Sequence, residues 1–400
     1  MPHWQNSDER AGKQHMKIVV DENIPMAQRC FGQLAEVVAV PGRDMDPALL
    51  KDADALVVRS ITKVNEALLS GSSVKFVGTA TIGVDHIDQA WLAANNIAFT
   101  SAPGCNARSV VEYVVAALME LEVIRDFKLD GKSIGIVGVG NVGSRLRAVC
   151  QSLGLKVLAC DPLRQAAGET GLVSSDEAWQ ADIVTLHVPY SMDGPHATHH
   201  LADFQRISDM VQGGVLINTS RGSVVNNMGL SRALDQRYDL SVILDVWEGE
   251  PFVNIELANQ VDIATPHIAG YSYDGKVRGT WMIYQALCQH FGVEACLTEA
   301  ELIDRKLNLI LDTRPDQAAS PSCARDIVSR IYDIREDDLG LRTSLQLSRE
   351  KRAFGFDALR KHYRVRREFP TVVLRGIDYL QSVMNESEFN RLQALGLLME

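Results

Sequence analysis

Ser133-Ile134-Gly135-Ile136-Val137-Gly138-Val139-Gly140-Asn141-Val142-Gly143 is the stretch whose reading decides the fold of this 400-residue chain. An apolar, β-branched run stops at a glycine, and the spacing G-x-G-x-x-G follows. From Arg145 the pattern is helical and closes at Gly154. A second apolar run, Lys156 to Cys160, ends on Asp161. Strand, tight turn, helix, strand and acid, in that order, are what a dinucleotide site requires. Gly138 lets the chain turn off the strand, Gly140 lets a pyrophosphate approach the backbone, and Gly143 lets the helix pack against the sheet. The free N–H groups of the helix's first turn then face the phosphates. Asp161 is placed to accept hydrogen bonds from ribose hydroxyls and to repel a 2′-phosphate, so NAD is expected over NADP. Arg164 nearby softens that preference.

Outward from this unit, short apolar runs alternate with helical patterns on both sides. Before it come Ile18–Val20, Val37–Val40, Ala55–Val58, Val74–Gly78 and Ile97–Thr100. After it come Asp182–Pro189, Gly214–Thr219, Ser241–Trp247 and Val261–Pro266. The expectation is an α/β protein with two parallel sheets, ligands lying beyond the carboxyl ends of the strands. A helix is expected from Ser109 to Ile124, with Ser109 as N-cap and Glu112 completing a capping box. Residues 1–15 read as a disordered leader. The polar loops 59–63 and 79–83 follow strands, and Arg59, Ser60 and Lys63 have the chemistry to grip a carboxylate or a phosphate; a solvated turn explains them equally well.

Composition narrows the function. The formal net charge of −11 argues against nucleic acid or an anionic membrane as partner. Seven scattered cysteines form no C-x-x-C pair, which fits reduced thiols in a cytoplasm and offers no zinc signature. The longest apolar region, Val110 to Ile124, is broken by three glutamates, so no span is expected. The loop histidines His196, His199 and His200 lack a carboxylate or thiol spacing for a metal, and no metal is expected.

Three strand-end residues carry the chemistry. Arg221 follows Asn218-Thr219-Ser220, Glu250 lies in Asp245-Val246-Trp247-Glu248-Gly249-Glu250-Pro251, and His267 follows Pro266. Oxidising a secondary alcohol needs a base near neutral pH, a carboxylate to orient and charge-balance it, and a cation for the substrate carboxylate and forming carbonyl. Each residue alone has a blander explanation; the trio after a dinucleotide turn, each member at a strand end, favours the catalytic one.

These residues, with Val58-Arg59-Ser60-x-Thr62-Lys63, Gly83-Val84-Asp85, Asn218-Thr219-Ser220-Arg221-Gly222 and Pro266-His267-Ile268-Ala269-Gly270, resemble the D-2-hydroxyacid dehydrogenase family over roughly residues 16–290. The resemblance implies a Rossmann NAD-binding domain (109–269) inserted in a flavodoxin-like substrate domain (16–108 and 270–294). It makes Arg221, Glu250 and His267 catalytic. It places NAD against Gly138, Gly140, Asn141, Val142, Gly143, Asp161, Val188, Thr219, Ser220, Arg221, Asp245 and Gly270. Asp21-Glu22-Asn23-Ile24-Pro25, Gly78 to Gly83, Gly270-Tyr271-Ser272 and the tail point to a branch acting on a phosphorylated 2-hydroxy acid. In that branch a C-terminal α+β domain, here 295–400, mediates homodimerisation. Ser60, Thr81 and Tyr271 are then substrate contacts, and Arg59, Lys63 or a residue of the partner subunit a phosphate ligand. A 3-phosphoglycerate dehydrogenase, a glyoxylate/hydroxypyruvate reductase and a non-catalytic NAD-sensing protein remain alternatives at this point. The charge run Arg360 to Arg367 reads as a solvated helix edge or a dimer rim.

Overall fold

The computed structural model describes residues 16–303, 308–314 and 321–400; the expected leader lies outside them. The chain forms two compact units. One holds residues 16–105 and 276–303, the other 106–275 and the tail beyond 303.

The first unit is built on five strands, β1 (Lys17–Asp21), β2 (Glu36–Val40), β3 (Ala55–Val58), β4 (Phe76–Thr79) and β5 (Ala98–Ser101), all parallel in the order β2-β1-β3-β4-β5. This is the flavodoxin-like order. β3 and β4 are buried at every position, which is why they are continuous apolar runs rather than alternating ones. The helix Tyr273–Phe291 enters this unit at Lys276 and lies on the sheet. Gly78 makes that possible, because a Cβ there would stand 2.5 Å from Cγ2 of Ile283.

The second unit is built on β6 (Ser133–Val137), β7 (Lys156–Cys160), β8 (Ile183–Leu186), β9 (Val215–Asn218), β10 (Ser241–Leu244) and β11 (Ile263–Ala264). They are parallel in the order β11-β10-β9-β8-β6-β7. Beyond β7, Val173 donates one backbone hydrogen bond to Ala159, a residue of an edge strand. The order reverses between β6 and β8, so the crevice at their carboxyl ends is the place for a ligand.

The helix Ala107–Ile124 is buried along most of its length. Its N-cap is Asn106, without a side-chain cap, so the expected capping box at Ser109 is absent. Ser109 lies inside the helix with its hydroxyl 2.9 Å from that of Ser272, and Glu112 accepts from the backbone N–H of Phe369. Both polar groups serve the tail instead of the helix end. The tail carries a three-stranded parallel sheet, β12 (Ile310–Asp312), β13 (Val373–Arg375) and β14 (Leu398–Met399), with β13 central. Its Ala324, Ile327, Tyr332, Phe369 and Leu392 share one apolar core with Val110, Tyr113, Val114 and Leu118 of the long helix.

The charge run departs from expectation here. Arg366, Arg367 and Glu368 are buried, at 2%, 5% and 1% exposure. Arg367 bonds both oxygens of buried Asp274, and Glu368 takes the hydroxyls of Ser109 and Ser272. Partner charges on distant parts of the chain, invisible to local patterning, make an interior out of what reads as a rim.

Candidate active site

The glycine turn does what its spacing implies. Gly138 has φ +92°, and a Cβ there would lie 2.7 Å from the carbonyl oxygen of His187. At Gly143 a Cβ would stand 2.0 Å from the Gly138 carbonyl oxygen. Gly140 differs: its φ is −73° and a Cβ would meet nothing within 4 Å. Protein packing does not demand glycine at 140, whereas a pyrophosphate approaching the helix Asn141–Ser152 would. Asp161 caps the helix Pro162–Ala166 through the Arg164 N–H, and its other oxygen accepts from the Val139 N–H at 2.9 Å. The acid is thereby fixed against the turn. Arg164 is committed to Glu169 and to the Val139 carbonyl, which removes it as a 2′-phosphate ligand. These residues fit NAD.

His267 stands at the carboxyl end of the sheet with φ +57°, a left-handed conformation rare outside glycine. Its N–H bonds the Asp245 carbonyl at 2.7 Å. The Asp245 carboxylate, 1% exposed, accepts from the Thr265 hydroxyl and the N–H groups of Ile268 and Ala269. Tyr113 in turn lies 2.7 Å from the Thr265 hydroxyl. Burial pushes the Asp245 carboxyl up, and His267, Thr265 and the two N–H groups oppose that. Asp245, expected beside the cofactor, thus also holds up the His267 loop from beneath.

Glu250 Oε2 lies 2.8 Å from His267 Nδ1, and its Oε1 accepts from the Trp247 N–H at 2.7 Å. Burial works to raise Glu250, but the neighbouring His267, these hydrogen bonds and Arg360 outweigh it and hold the carboxyl below its ordinary range. An ionised carboxylate only accepts, so Nδ1 carries the proton. In the neutral ring Nε2 is then left with a lone pair to take a proton.

Arg221 stands on a buried turn that follows β9. Asn218 Oδ1 accepts from the N–H and hydroxyl of Ser220, and its Nδ2 donates to the Arg221 carbonyl. Gly222 then lies so close to the Trp247 carbonyl that a Cβ would stand 2.0 Å away, which ties the Arg221 turn to the Glu250 loop. Ser220 is 7% exposed with its hydroxyl bound to Asn218, so its expected cofactor contact falls to the backbone. Val188 borders Gly138, and Gly270 packs against Asn106. The Thr219 hydroxyl lies 3.3 Å from Nδ1 of His187. His187 reads from sequence as packing or as lining the cofactor cleft. It sits at the switch point between the Thr185 and Thr219 hydroxyls, and burial pushes its pKa down to about 3, so it is a neutral polar group.

In the first unit, Arg59 and Ser60 follow β3. Thr81 follows β4 and bonds the Gly83 carbonyl, and Thr79 links it to Nε2 of His86. Lys276 was not singled out by sequence. Burial, helped by Arg59, lowers its pKa to about 8. Tyr271 belongs to the second unit, where it meets the ring of Tyr363 edge-on at 5.6 Å. His200, viewed from sequence as a weak metal candidate, is 2.6 Å from Glu248, and no metal-holding group of three occurs among the described residues. No helix among them is long and apolar enough to cross a membrane.

Residues 112–269 match the sequence model of the D-isomer specific 2-hydroxyacid dehydrogenase NAD binding domain, and residues 309–396 match a domain of unknown function, DUF3410. The erythronate-4-phosphate dehydrogenase of Escherichia fergusonii is 48% identical over 365 residues, 89% of this chain and 93% of that protein. That of Shigella flexneri matches to the same extent. Among solved structures, the NAD+-bound 3-phosphoglycerate dehydrogenase of Entamoeba histolytica is 25% identical with a TM-score of 0.60, covering 70% of this chain and 96% of that one. The D-lactate dehydrogenase of Aquifex aeolicus, complexed with NAD and lactic acid, is 27% identical with a TM-score of 0.56, covering 72% and 97%.

Proposed function

Since this chain belongs to the D-isomer specific 2-hydroxyacid dehydrogenase family, and is an NAD-dependent oxidoreductase, we propose that it oxidises the C2 hydroxyl of 4-phospho-D-erythronate. The product is the 2-oxo acid (R)-3-hydroxy-2-oxo-4-phosphooxybutanoate, and the step belongs to the formation of pyridoxine 5′-phosphate. NAD, when bound, accepts the hydride from C2. Nε2 of His267 takes the hydroxyl proton, Glu250 keeps the ring in the required tautomer and balances its new charge, and Arg221 holds the carboxylate and polarises the forming carbonyl. Residues 109–269 serve as the NAD-binding domain. Residues 16–108 with 270–294 serve as the substrate domain, and Arg59, Ser60, Thr81 and Tyr271 are the substrate contacts of this reading.

The observation that carries this reading is the 2.8 Å pair of Glu250 with His267 Nδ1, beside a turn that fits NAD. The tail 295–400 also mediates a homodimer in this reading. Leu339, Phe354 and Val365, at 66%, 75% and 65% exposure, supply apolar surface that a second copy would cover.

The test is spectroscopic. Reduced nicotinamide is followed at its absorbance maximum with 4-phospho-D-erythronate, 3-phosphoglycerate, D-lactate, D-glycerate and D-erythronate. The highest kcat/KM is expected for 4-phospho-D-erythronate; a higher value for any other acid overturns the substrate assignment.

A further inference from the structure

The cationic run of the tail divides by what each guanidinium touches. Arg364 is bound to Asp337, Arg366 to the carbonyls of Ser109 and Ala269, and Arg367 to Asp274. Arg360 is different. It lies in the last turn of the helix Arg349–Lys361, half-buried, and its Nε is buried with no hydrogen-bond partner. Among the described residues it makes no ion pair. A buried donor left unpaired is costly, and such groups usually await a ligand, a water or an ion.

Where Arg360 points is informative. Its guanidinium carbon stands 5.7 Å from the centre of the Tyr271 ring and 5.9 Å from that of Phe356. Tyr271 closes the turn that begins at His267, its N–H bonded to the Ile268 carbonyl at 2.7 Å. The charge of Arg360 also reaches Glu250, the partner of His267. A planar cation with open donors therefore stands over the ring next to the proton acceptor. Its two apolar faces hold it in place, and among the described residues no hydrogen bond uses its forked N–H groups.

We propose that Arg360, carried to the site by the C-terminal tail, binds the terminal phosphoryl group of the substrate beside Tyr271. This rests on the reading of the substrate as a phosphorylated 2-hydroxy acid. Arg221 is assigned to the carboxylate end, so a second anionic end needs a second cation, and a guanidinium fork matches two phosphoryl oxygens. The tail is then part of the substrate pocket as well as a structural appendage.

The experiment compares wild type, Arg360→Gln and Arg360→Lys on 4-phospho-D-erythronate and on D-erythronate, with NAD in both. For Arg360→Gln, kcat/KM on the phosphorylated acid is expected to fall about 100-fold, chiefly through KM, and Arg360→Lys to recover part of the loss. On D-erythronate the fall should be far smaller, under about threefold. Inorganic phosphate as a competitive inhibitor gives a second readout, its inhibition constant rising at least about tenfold in Arg360→Gln. Equal losses on both acids would overturn the proposal and make Arg360 a positioning residue for Glu250. Unchanged kinetics and an unchanged inhibition constant would overturn it as well. A wild-type enzyme indifferent to the phosphate would sink the substrate reading itself. A wild type that prefers the phosphorylated acid, with the preference kept in Arg360→Gln, sinks only this assignment. Arg360 donates no hydrogen bond among the described residues, so the glutamine variant should fold, and its circular dichroism and melting temperature check that.

Discussion

Around the glycine turn, Asp161 is only half-buried, and a Cβ at Gly140 would enter open space. Ninety-nine residues past His267, Arg366 begins the stretch Arg366, Arg367 and Glu368, which is buried with Glu112 and Asp274 in the same compact unit. The first region keeps its polar groups for a ligand; the second uses them to fasten the tail to the long helix. Substitutions in the first should therefore change chemistry or binding while stability holds. Substitutions in the second should do the reverse, with Arg360 standing between the two.

The largest effect is expected on chemistry at His267. Asparagine tolerates the left-handed backbone there and offers Glu250 a donor, so His267→Asn removes the proton acceptor with little strain. The turnover number should fall by about 10²–10⁴, the range for loss of a general base, while the dissociation constant for NADH, read by fluorescence, stays within about threefold. Near-normal turnover would remove His267 from the role of base.

Arg366→Met should give the mirror image. It removes a guanidinium that stacks 3.7 Å from the centre of the Tyr332 ring and donates to two backbone carbonyls in the interior. A loss of about 3–5 kcal/mol in denaturant-derived stability is expected. A loss under about 1 kcal/mol would mean the buried network contributes little and the tail is held by its apolar core alone.

The contrast can be sharpened within one turn. Gly143→Ala drives a methyl to within 2.0 Å of the Gly138 carbonyl, a backbone atom that cannot yield easily, and should cost about 2 kcal/mol or more in stability. Gly140→Ala meets no protein atom and should leave stability within about 0.5 kcal/mol. Its NAD affinity, by titration calorimetry, should nonetheless drop at least about tenfold. If Gly140→Ala bound NAD normally, the pyrophosphate would have to lie elsewhere.

How much of this was legible in the sequence follows the same division. The strand runs and the glycine turn are governed by local rules, and the structure sets both where those rules put them; of the strand-end trio it pairs His267 with Glu250. Ser109 and Glu112 have the spacing of a capping box, yet long-range packing against Ser272 and Phe369 recruits both. The tail run failed as a local pattern because its partners, Asp274, Ser109 and Ala269, lie about 90 to 260 residues away in the chain. Lys276 escaped notice because its character comes from burial, which periodicity does not report for a single polar residue. Asp245 was legible as a site residue, but its support of the His267 loop needs three hydrogen bonds that only the fold brings together.

The smallest expected effect concerns the foot of β6, where the two halves of the comparison meet in one residue. Asp182 precedes β8, accepts from both the N–H and the hydroxyl of Ser133, and pairs with Lys132 at 2.9 Å. Burial works to raise its carboxyl, but these bonds prevail and lower it to about 2. An unfolded aspartate titrates near 3.9. A carboxyl depressed in the fold contributes stability that is complete above that value and is lost as pH falls towards 2. The group is about one-third exposed, so after solvent screening the contribution is about 1 kcal/mol. Asp182→Asn should therefore lose about 1 kcal/mol at pH 7 by urea titration, and the gap from wild type should close as the pH is lowered from about 4 towards 2. Turnover should be unchanged, since Asp182 lies at the opposite strand ends from His267. A gap that persisted at pH 2.5 would locate the contribution in the shape of the Ser133 bonds and not in the charge.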